Sequence, residues 1–183
     1  MIPVFLANGC EEIEALVTVD ILRRAGVEVV TVGVGGKTPV GAHGIAVCAD
    51  IAENELDLTA LDGVVLPGGM PGTTNLEASA VVQNAVAYAA QHGLMLAAIC
   101  AAPSILGHCG LLKGKDATCY PGFEEELSGA NLVEEGVVVD DNVITAAAAG
   151  YAIDFALTLV SYLKSVEAAA SVVDAIEPIE NYD

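Results

Sequence analysis

Length, composition and charge exclude several classes of protein. The 183 residues suit one domain with a sizeable core, and 54% of them are hydrophobic. Six lysines and arginines stand against 25 aspartates and glutamates, for a net charge of −19. Such a surface repels phosphate backbones and anionic lipids, so we expect no nucleic-acid partner and no membrane association. No apolar run reaches about 18 residues, so we also expect no transmembrane span.

The cysteines and the N-terminus indicate a cellular compartment. Five cysteines at irregular spacing, with no C-x-x-C pair, resemble neither a disulfide framework nor a zinc site. The first residues, Met1–Ala7, lack the basic region of a secretory signal. We therefore expect a reduced, cytoplasmic protein, and the sequence suggests no metal and no cofactor.

The first part of the chain predicts a β-α-β unit. An apolar strand over Ile2–Ala7 precedes a helix over Glu11–Ala25. The first turn of this helix is acidic and its last turn holds two arginines, as the helix dipole favours. The β-branched run Val27–Val34 predicts the second strand. A short β-excursion over Pro39–Val47 follows, and the mixed stretch Asp50–Leu61 predicts loop with some helix.

The middle of the chain begins a second unit of this kind. Gly63–Leu66 predicts a short buried strand that ends in the turn Pro67–Gly72, which is tight enough to require glycine. A helix over Ser79–His92 follows, with serine as its cap and Gly93 as its stop.

Leu94–Pro103 predicts a strand, a turn and a helix in immediate succession. The apolar run suits a parallel strand covered on both faces, Cys100 follows on the turn, and Pro103 suits the first turn of a helix. This order is typical of a nucleophile elbow, in which a strained turn lifts a side chain above the carboxyl edge of a sheet. A helix N-terminus under the sulfur would lower the thiol pKa. The alternative is that Cys100 only fills a core, as free cysteines usually do.

The C-terminal part predicts short strands and two helical segments. The predicted elements are a strand or loop at Ala117–Pro121, strands at 132–133, 137–140 and 143–147, a helix over Gly150–Lys164, a second amphipathic segment to about Ala175, and an acidic tail, 177–183, that is poorly ordered at its end. Strands that alternate with helices predict a single α/β domain over 1–183 with an open, mostly parallel sheet. In such a sheet, functional residues collect at the carboxyl ends of the strands.

Four motifs, in this order, resemble a known family. They are Gly9–Glu14, Val19–Gly26, Leu66–Gly69 and Ala97–Pro103. The chain is similar over essentially its whole length to the parkinsonism-associated deglycase ("DJ-one") family, within the wider PfpI, class I glutamine amidotransferase-like superfamily. The resemblance implies a flavodoxin-like sheet sandwiched by helices, a cysteine on a strained elbow, and a homodimer.

The resemblance also implies roles for individual residues. Cys100 falls on the reactive nucleophile and Glu14 on the carboxylic acid that hydrogen-bonds its sulfur. The N–H groups of Gly69 and Ala101 would form an oxyanion hole, and Gly68 would line the pocket floor. A carboxyl group favours a neighbouring thiolate only when it is protonated, so we expect Glu14 to be desolvated and often neutral. The alternative for Glu14 is an ordinary acid in the first turn of a helix.

Tyr120 departs from the family pattern. The human-type members carry a histidine at this position, and a Cys–His pair is how a hydrolase activates a thiol. Tyrosine titrates near ~10 and cannot act as a base near neutral pH, although it can donate a hydrogen bond or pack over the pocket. Peptidase or amidase chemistry is therefore disfavoured.

The resemblance implies an enzyme that acts on reactive aldehydes. The Cys100 thiolate would add to a small carbonyl such as methylglyoxal, and Glu14 would shuttle a proton. The product would be lactate, formed without glutathione, or a repaired side chain where the substrate is a glycated protein. The alternative is a redox-sensing or chaperone-like stress protein, in which Cys100 is oxidised to a sulfinic acid without turnover.

Overall fold

A seven-stranded sheet runs through the middle of the molecule. The computed structural model describes residues 1–177, so the end of the tail that we expected to be poorly ordered, 178–183, lies outside the described residues. The strands are β1 Ile2–Leu6, β2 Val29–Gly33, β3 Ile51–Ala52, β4 Gly63–Leu66, β5 Met95–Ile99, β6 Asp116–Ala117, β7 Asn131–Leu132, β8 Val137–Asp140 and β9 Val143–Ala146. The α-helices are α1 Glu12–Arg24, α2 Gly72–Ala78, α3 Ala80–His92, α4 Pro103–His108, α5 Ala152–Leu163 and α6 Val166–Ile176.

The order of the strands confirms the flavodoxin-like sheet. The order is β3-β2-β1-β4-β5-β9-β8, and all neighbours are parallel except β8 and β9. Strands β6 and β7 pair separately. The central five, β2-β1-β4-β5-β9, follow the doubly wound order in which the direction of winding reverses between β1 and β4. In this class of fold, ligands bind beyond the carboxyl ends of the strands near that reversal.

Two apolar layers cover the two faces of the sheet. Helices α2, α3 and α4 pack on one face, and α1, α5 and α6 pack on the other. The alternation along β4 shows why both layers are needed: Val64 and Leu66 enter the first core, whereas Val65 enters the second. All five residues of β5 are buried, as expected for a strand covered on both faces.

Local signals place several element boundaries. The Ser79 side chain accepts a hydrogen bond from the N–H of Val82 and so caps α3, and Gly93 ends that helix at φ 65°.

Two elements were not expected. Helix α2 begins directly at the end of the glycine-rich turn and is held by Leu76, which is fully buried. Strand β3 is defined by its pairing with β2. This is a long-range contact, and the sequence of a two-residue segment does not predict it. No helix in residues 1–177 is long and apolar enough to span a bilayer.

Candidate active site

Cys100 lies directly after β5 in a conformation that an L-residue rarely adopts. Its φ is 64°, and Asp141 in the β8–β9 turn is the only other non-glycine residue with positive φ among the described residues. Such a backbone costs about 1–3 kcal/mol and persists only where its surroundings fix it. Here the N–H of Cys100 donates to Ala146 O at 2.9 Å, and its carbonyl accepts from the N–H of Tyr120 at 2.8 Å. The predicted nucleophile elbow is therefore present.

Glu14 lies on α1 with only 1% of its surface exposed. Its Oε2 accepts a hydrogen bond from the N–H of Gly68 at 2.8 Å. Its Oε1 is inaccessible to solvent and has no hydrogen-bond partner. It is the one buried side-chain N or O in residues 1–177 of which this is true. The Cys100 side chain is the neighbour that interacts with this carboxyl group. A buried oxygen without a hydrogen-bond partner destabilises the fold. This cost falls when the carboxyl group is protonated, or when the thiol donates its hydrogen to the oxygen.

Gly68 is what lets the thiol and the carboxyl group meet. A Cβ at this position would lie 2.7 Å from Cβ of Cys100 and 2.8 Å from Oε2 of Glu14. The N–H groups of Gly69 and Ala101 lie beside the sulfur and lower its pKa. Helix α4 is only six residues long and starts beyond two turn residues, so these two amides, rather than the helix N-terminus, are the donors at the sulfur.

The two ionisable groups perturb each other. Burial raises the pKa of Glu14 from 4.5 to about 7, against the opposing effect of the Gly68 N–H. Burial, and then the Glu14 charge and hydrogen bond, raise the pKa of the Cys100 thiol to about 12, although the two amides lower it. The expectation of a lowered thiol pKa is therefore wrong while Glu14 is ionised. Once Glu14 holds a proton, the repulsion disappears and its O–H can donate to sulfur, which favours thiolate.

Tyr120 contributes its backbone to the elbow through the N–H that binds Cys100 O. Its side chain is 46% exposed and makes no hydrogen bond to any of the described residues. The histidines are also elsewhere: His108 bridges Glu77 and Glu126 at the surface, and His92 bonds Tyr88 O. None of these side chains stands beside the thiol as a base.

Sequence reasoning missed the role of Glu12. It resembled a solvated acid in the first turn of a helix, but it is only 5% exposed. Its Oε1 accepts from the N–H of His43 at 2.8 Å and its Oε2 lies 2.9 Å from Nδ1 of the same residue. Glu11, Glu12 and His43 are the group in residues 1–177 that could hold a metal ion, but the direct His43–Glu12 hydrogen bonds already account for their clustering. The feature of the sequence that could have indicated this contact is Gly41, because a Cβ at that position would overlap the Glu12 carboxyl group.

A cavity of about 580 Å³, which was not predicted from the sequence, lies next to the segments that hold the elbow. Part of its wall is Ala117–Cys119 and Pro121, on either side of the Tyr120 N–H that binds the Cys100 carbonyl. Ala147 and Ala148 form another part, directly after the Ala146 carbonyl that binds the Cys100 N–H. The cavity is therefore lined by the sequence neighbours of both residues that hydrogen-bond the Cys100 backbone.

Comparison with known proteins identifies the family. The model of the DJ-1/PfpI family matches residues 1–162. This chain belongs to the DJ-1/PfpI family. The structure of Drosophila melanogaster DJ-1beta superposes with a TM-score of 0.92 at 32% identity and covers 98% of each chain.

Two curated relatives extend the comparison within the DJ-1/PfpI family. Protein DJ-1 homolog B of Arabidopsis thaliana is 38% identical over 189 residues, which cover 100% of this chain and 43% of the plant protein. This chain thus spans less than half of that relative's length. The Caenorhabditis elegans protein named glutathione-independent glyoxalase DJR-1.2 is 30% identical over 162 residues, which cover 87% of this chain and 86% of that protein.

Proposed function

We propose that this protein is an enzyme that converts small reactive aldehydes such as methylglyoxal to 2-hydroxy acids such as lactate, without glutathione. The observation that carries the proposal is the burial of Glu14 against the elbow thiol, with Oε1 left without a partner. A pKa of about 7 lets this carboxyl group both take and give a proton near neutral pH. That property is of no use to a packing residue.

The proposed reaction balances without a cofactor. The substrate is a 2-oxoaldehyde. Glu14 takes the thiol proton, the Cys100 thiolate adds to the aldehyde carbon, and Glu14 gives that proton to the resulting oxygen, which lies at the Gly69 and Ala101 amides, so that a hemithioacetal forms. The ionised Glu14 then takes the proton from the former aldehyde carbon and passes it to the ketone oxygen, which gives an enediol. Transfer of the other hydroxyl proton of the enediol to the former ketone carbon, again through Glu14, gives a thioester of the 2-hydroxy acid, so the aldehyde carbon is oxidised as the ketone carbon is reduced. Water hydrolyses the thioester and releases the Cys100 thiol, and the sum is 2-oxoaldehyde plus water to 2-hydroxy acid.

The relatives support this proposal at the level of the family. The nematode relative carries the name of a glutathione-independent glyoxalase. In the deglycase form of the proposal, the Cys100 thiolate displaces the amine or thiol of a glycated side chain from the carbinol carbon of its aminocarbinol or hemithioacetal. The protonated Glu14 supplies the proton that the released side chain takes up, and the carbonyl fragment remains on Cys100 as the same hemithioacetal.

The test is lactate formation from methylglyoxal by the purified full chain. Cys100→Ser should abolish turnover, and Glu14→Gln should lower kcat by about 10²–10⁴-fold, because it removes a positioned acid–base group. Cys109→Ser is the matched control, since Cys109 is an exposed free thiol bonded only to Gln83. Turnover that survives Cys100→Ser, or its absence from the native protein, would defeat the proposal.

A redox sensor is the second candidate, and the unpartnered Oε1 of Glu14 favours it as well. A protonated Glu14 could donate to an oxygen of Cys100 sulfinic acid, with Gly69 and Ala101 N–H as further donors. Peroxide treatment followed by intact mass and peptide mapping measures this reaction. A sensor without turnover would gain two oxygens at Cys100 in the native chain and form no lactate. Thiol peptidase or amidase activity is the weakest candidate, because no histidine stands beside Cys100.

We also propose a cytoplasmic homodimer. Five free cysteines support a reducing compartment. Ile13, Leu16 and Ile153 are exposed apolar side chains on α1 and α5, where a groove of about 560 Å³ opens between α1 and α6. A second copy that covers this face would bury them. Sedimentation equilibrium of the native chain and of Leu16→Glu tests this arrangement: a native monomer would overturn it, and the variant should dissociate.

A further inference from the structure

The charged side chains that line the cavity beside the elbow are all negative. The carboxylate residues Glu124, Glu134 and Glu135 line it, and no lysine, arginine or histidine does. Among residues 1–177, none of these three side chains forms an ion pair. Their one hydrogen bond is from the N–H of Gly122 to Oε2 of Glu124, at 2.7 Å. Within the part of the chain described, three negative charges therefore surround a concave space without a cation.

Thr118 supplies an independent observation. This residue lines the cavity with only 6% of its surface exposed, and its N–H donates to Oγ1 of Thr145 at 3.0 Å. Its own hydroxyl makes no hydrogen bond to the described residues. Glu14 Oε1 is the one side-chain N or O among the described residues that is both inaccessible to solvent and without a hydrogen-bond partner, so the unpartnered Thr118 hydroxyl is accessible. Because Thr118 lines the cavity, its accessible hydroxyl is available to accept a hydrogen bond from a ligand there.

An aromatic ring completes the wall. The Tyr151 ring packs directly on Gly136, where any Cβ would overlap it, and the residue remains 43% exposed. A ring fixed in this way presents a face to which cations are attracted. Cys119, which is 8% exposed, lies on the same wall close enough to Glu124 for that charge to raise its pKa.

We propose that this cavity is a binding site for an organic cation, either a primary ammonium or a guanidinium on a short aliphatic stem. The carboxylates supply the charge complement, the Thr118 hydroxyl accepts an N–H, and the Tyr151 ring covers the stem. The volume of about 580 Å³ falls in the range of small-ligand sites. The site goes beyond the proposed function and does not require Cys100 to react. Its walls include residues next in sequence to Tyr120 and Ala146, whose backbones bind that of Cys100.

The test is an NMR titration of the ¹⁵N-labelled full chain with butylammonium, 1-butanol and butyrate. Butylammonium should shift the amide signals of Thr118, Cys119, Gly136 and Ala148, and should bind about tenfold more tightly than butanol, with butyrate weaker than both. Added salt should weaken the binding of butylammonium alone. Equal affinities for butylammonium and butanol, or shifts confined to other residues, would overturn the proposal.

Matched variants separate the site from the general negative charge of the protein. Glu124→Gln should weaken butylammonium about threefold and should keep the hydrogen bond from Gly122. Glu125→Gln removes the same charge from the adjacent exposed residue, which does not line the cavity, and should leave the affinity unchanged. Equal weakening by both variants would refute a local site.

Two further arms identify the source of the cation and the relation to catalysis. Acetyl-Gly-Lys-Gly-amide will bind more tightly than butylammonium if the natural ligand is a lysine side chain of a peptide. It will fail to bind if the ligand is a free amine. Cys100→Ser should bind butylammonium as the native chain does. If the native chain binds butylammonium but makes no lactate, the proposed function is refuted and the cation site remains. If the native chain makes lactate but does not bind butylammonium, the cation site is refuted and the proposed function remains.

Discussion

Replacing Glu14 with glutamine should change the pH dependence of folding stability. The native carboxyl group is buried, so its protonated form fits the fold better than its charged form, and its pKa rises from 4.5 to about 7. Glutamine has a similar shape and is neutral at every pH. A group whose pKa is higher in the folded state stabilises the fold below its unfolded pKa, and that contribution disappears as pH rises through the folded pKa. The native protein should therefore lose stability between about pH 4.5 and 7 relative to the variant.

The pKa shift sets the size of the effect. A shift from 4.5 to about 7 corresponds to about 3 kcal/mol at about 1.4 kcal/mol per pKa unit. Linkage places about 2–3 kcal/mol of this between pH 5 and pH 8. The free energy of unfolding of Glu14→Gln minus that of the native protein should thus increase by about 2–3 kcal/mol over this range. Other ionisable groups are common to both proteins and cancel in the difference.

Urea denaturation at half-unit steps from pH 5 to pH 8 measures this difference. Glu125→Gln, at an exposed position, should follow the native protein at every pH. A difference between Glu14→Gln and the native protein that stays constant with pH would show that Glu14 is ionised throughout. The acid–base role proposed for it would then have no basis.

Three further predictions follow from local geometry. Gly68→Ala should cost about 1–3 kcal/mol of stability and abolish turnover, because the new Cβ overlaps the elbow; Gly150→Ala, where a Cβ meets nothing within 4 Å, should be silent in both assays. Ser79→Ala should lower the free energy of unfolding by about 1 kcal/mol in urea, since it removes the cap bond to Val82. His108, whose pKa is raised by Glu77 and Glu126, stabilises the fold below pH 6.5 and loses that effect as pH rises. His108→Gln should therefore lower Tm more at pH 6 than at pH 8.

Much of the fold could be predicted because its signals are local. Ser79 and Gly93 mark the ends of α3 by cap chemistry, and the uninterrupted apolar run before Cys100 marks a strand buried on both faces. The antiparallel β8–β9 pair follows from a two-residue turn, Asp141 and Asn142, in which Asp141 takes a left-handed conformation. Each of these features depends on residues within about a dozen positions of one another, which is the range over which sequence patterns carry structural information.

The site could be predicted only in part because burial is a property of the folded molecule. Glu12 and Glu14 occupy the same acidic first turn, and nothing in that turn distinguishes them from Glu11. In the structure, Glu12 holds the His43 loop, and hydrogen bonds led by that from His43 lower its pKa to about 2 against the effect of burial, whereas burial raises the pKa of Glu14. His43 lies 31 residues from Glu12 along the chain, and Gly68, whose N–H holds Glu14 while opposing the rise of its pKa, lies 54 residues from Glu14.

The competing interpretation, in which Cys100 merely fills a core, leaves two energetically unfavourable features of the elbow unexplained. A core cysteine needs neither a left-handed backbone nor an acid beside it, yet this elbow has both. The backbone costs about 1–3 kcal/mol and the ionised, buried Glu14 about 3 kcal/mol, against a total stability of about 5–15 kcal/mol for a domain of ordinary size. The strand β5 and both apolar layers would be preserved with alanine at position 100 and glutamine at position 14. Two unfavourable features that meet at one sulfur, at the carboxyl end of β5, therefore support the proposal that chemistry takes place at that sulfur.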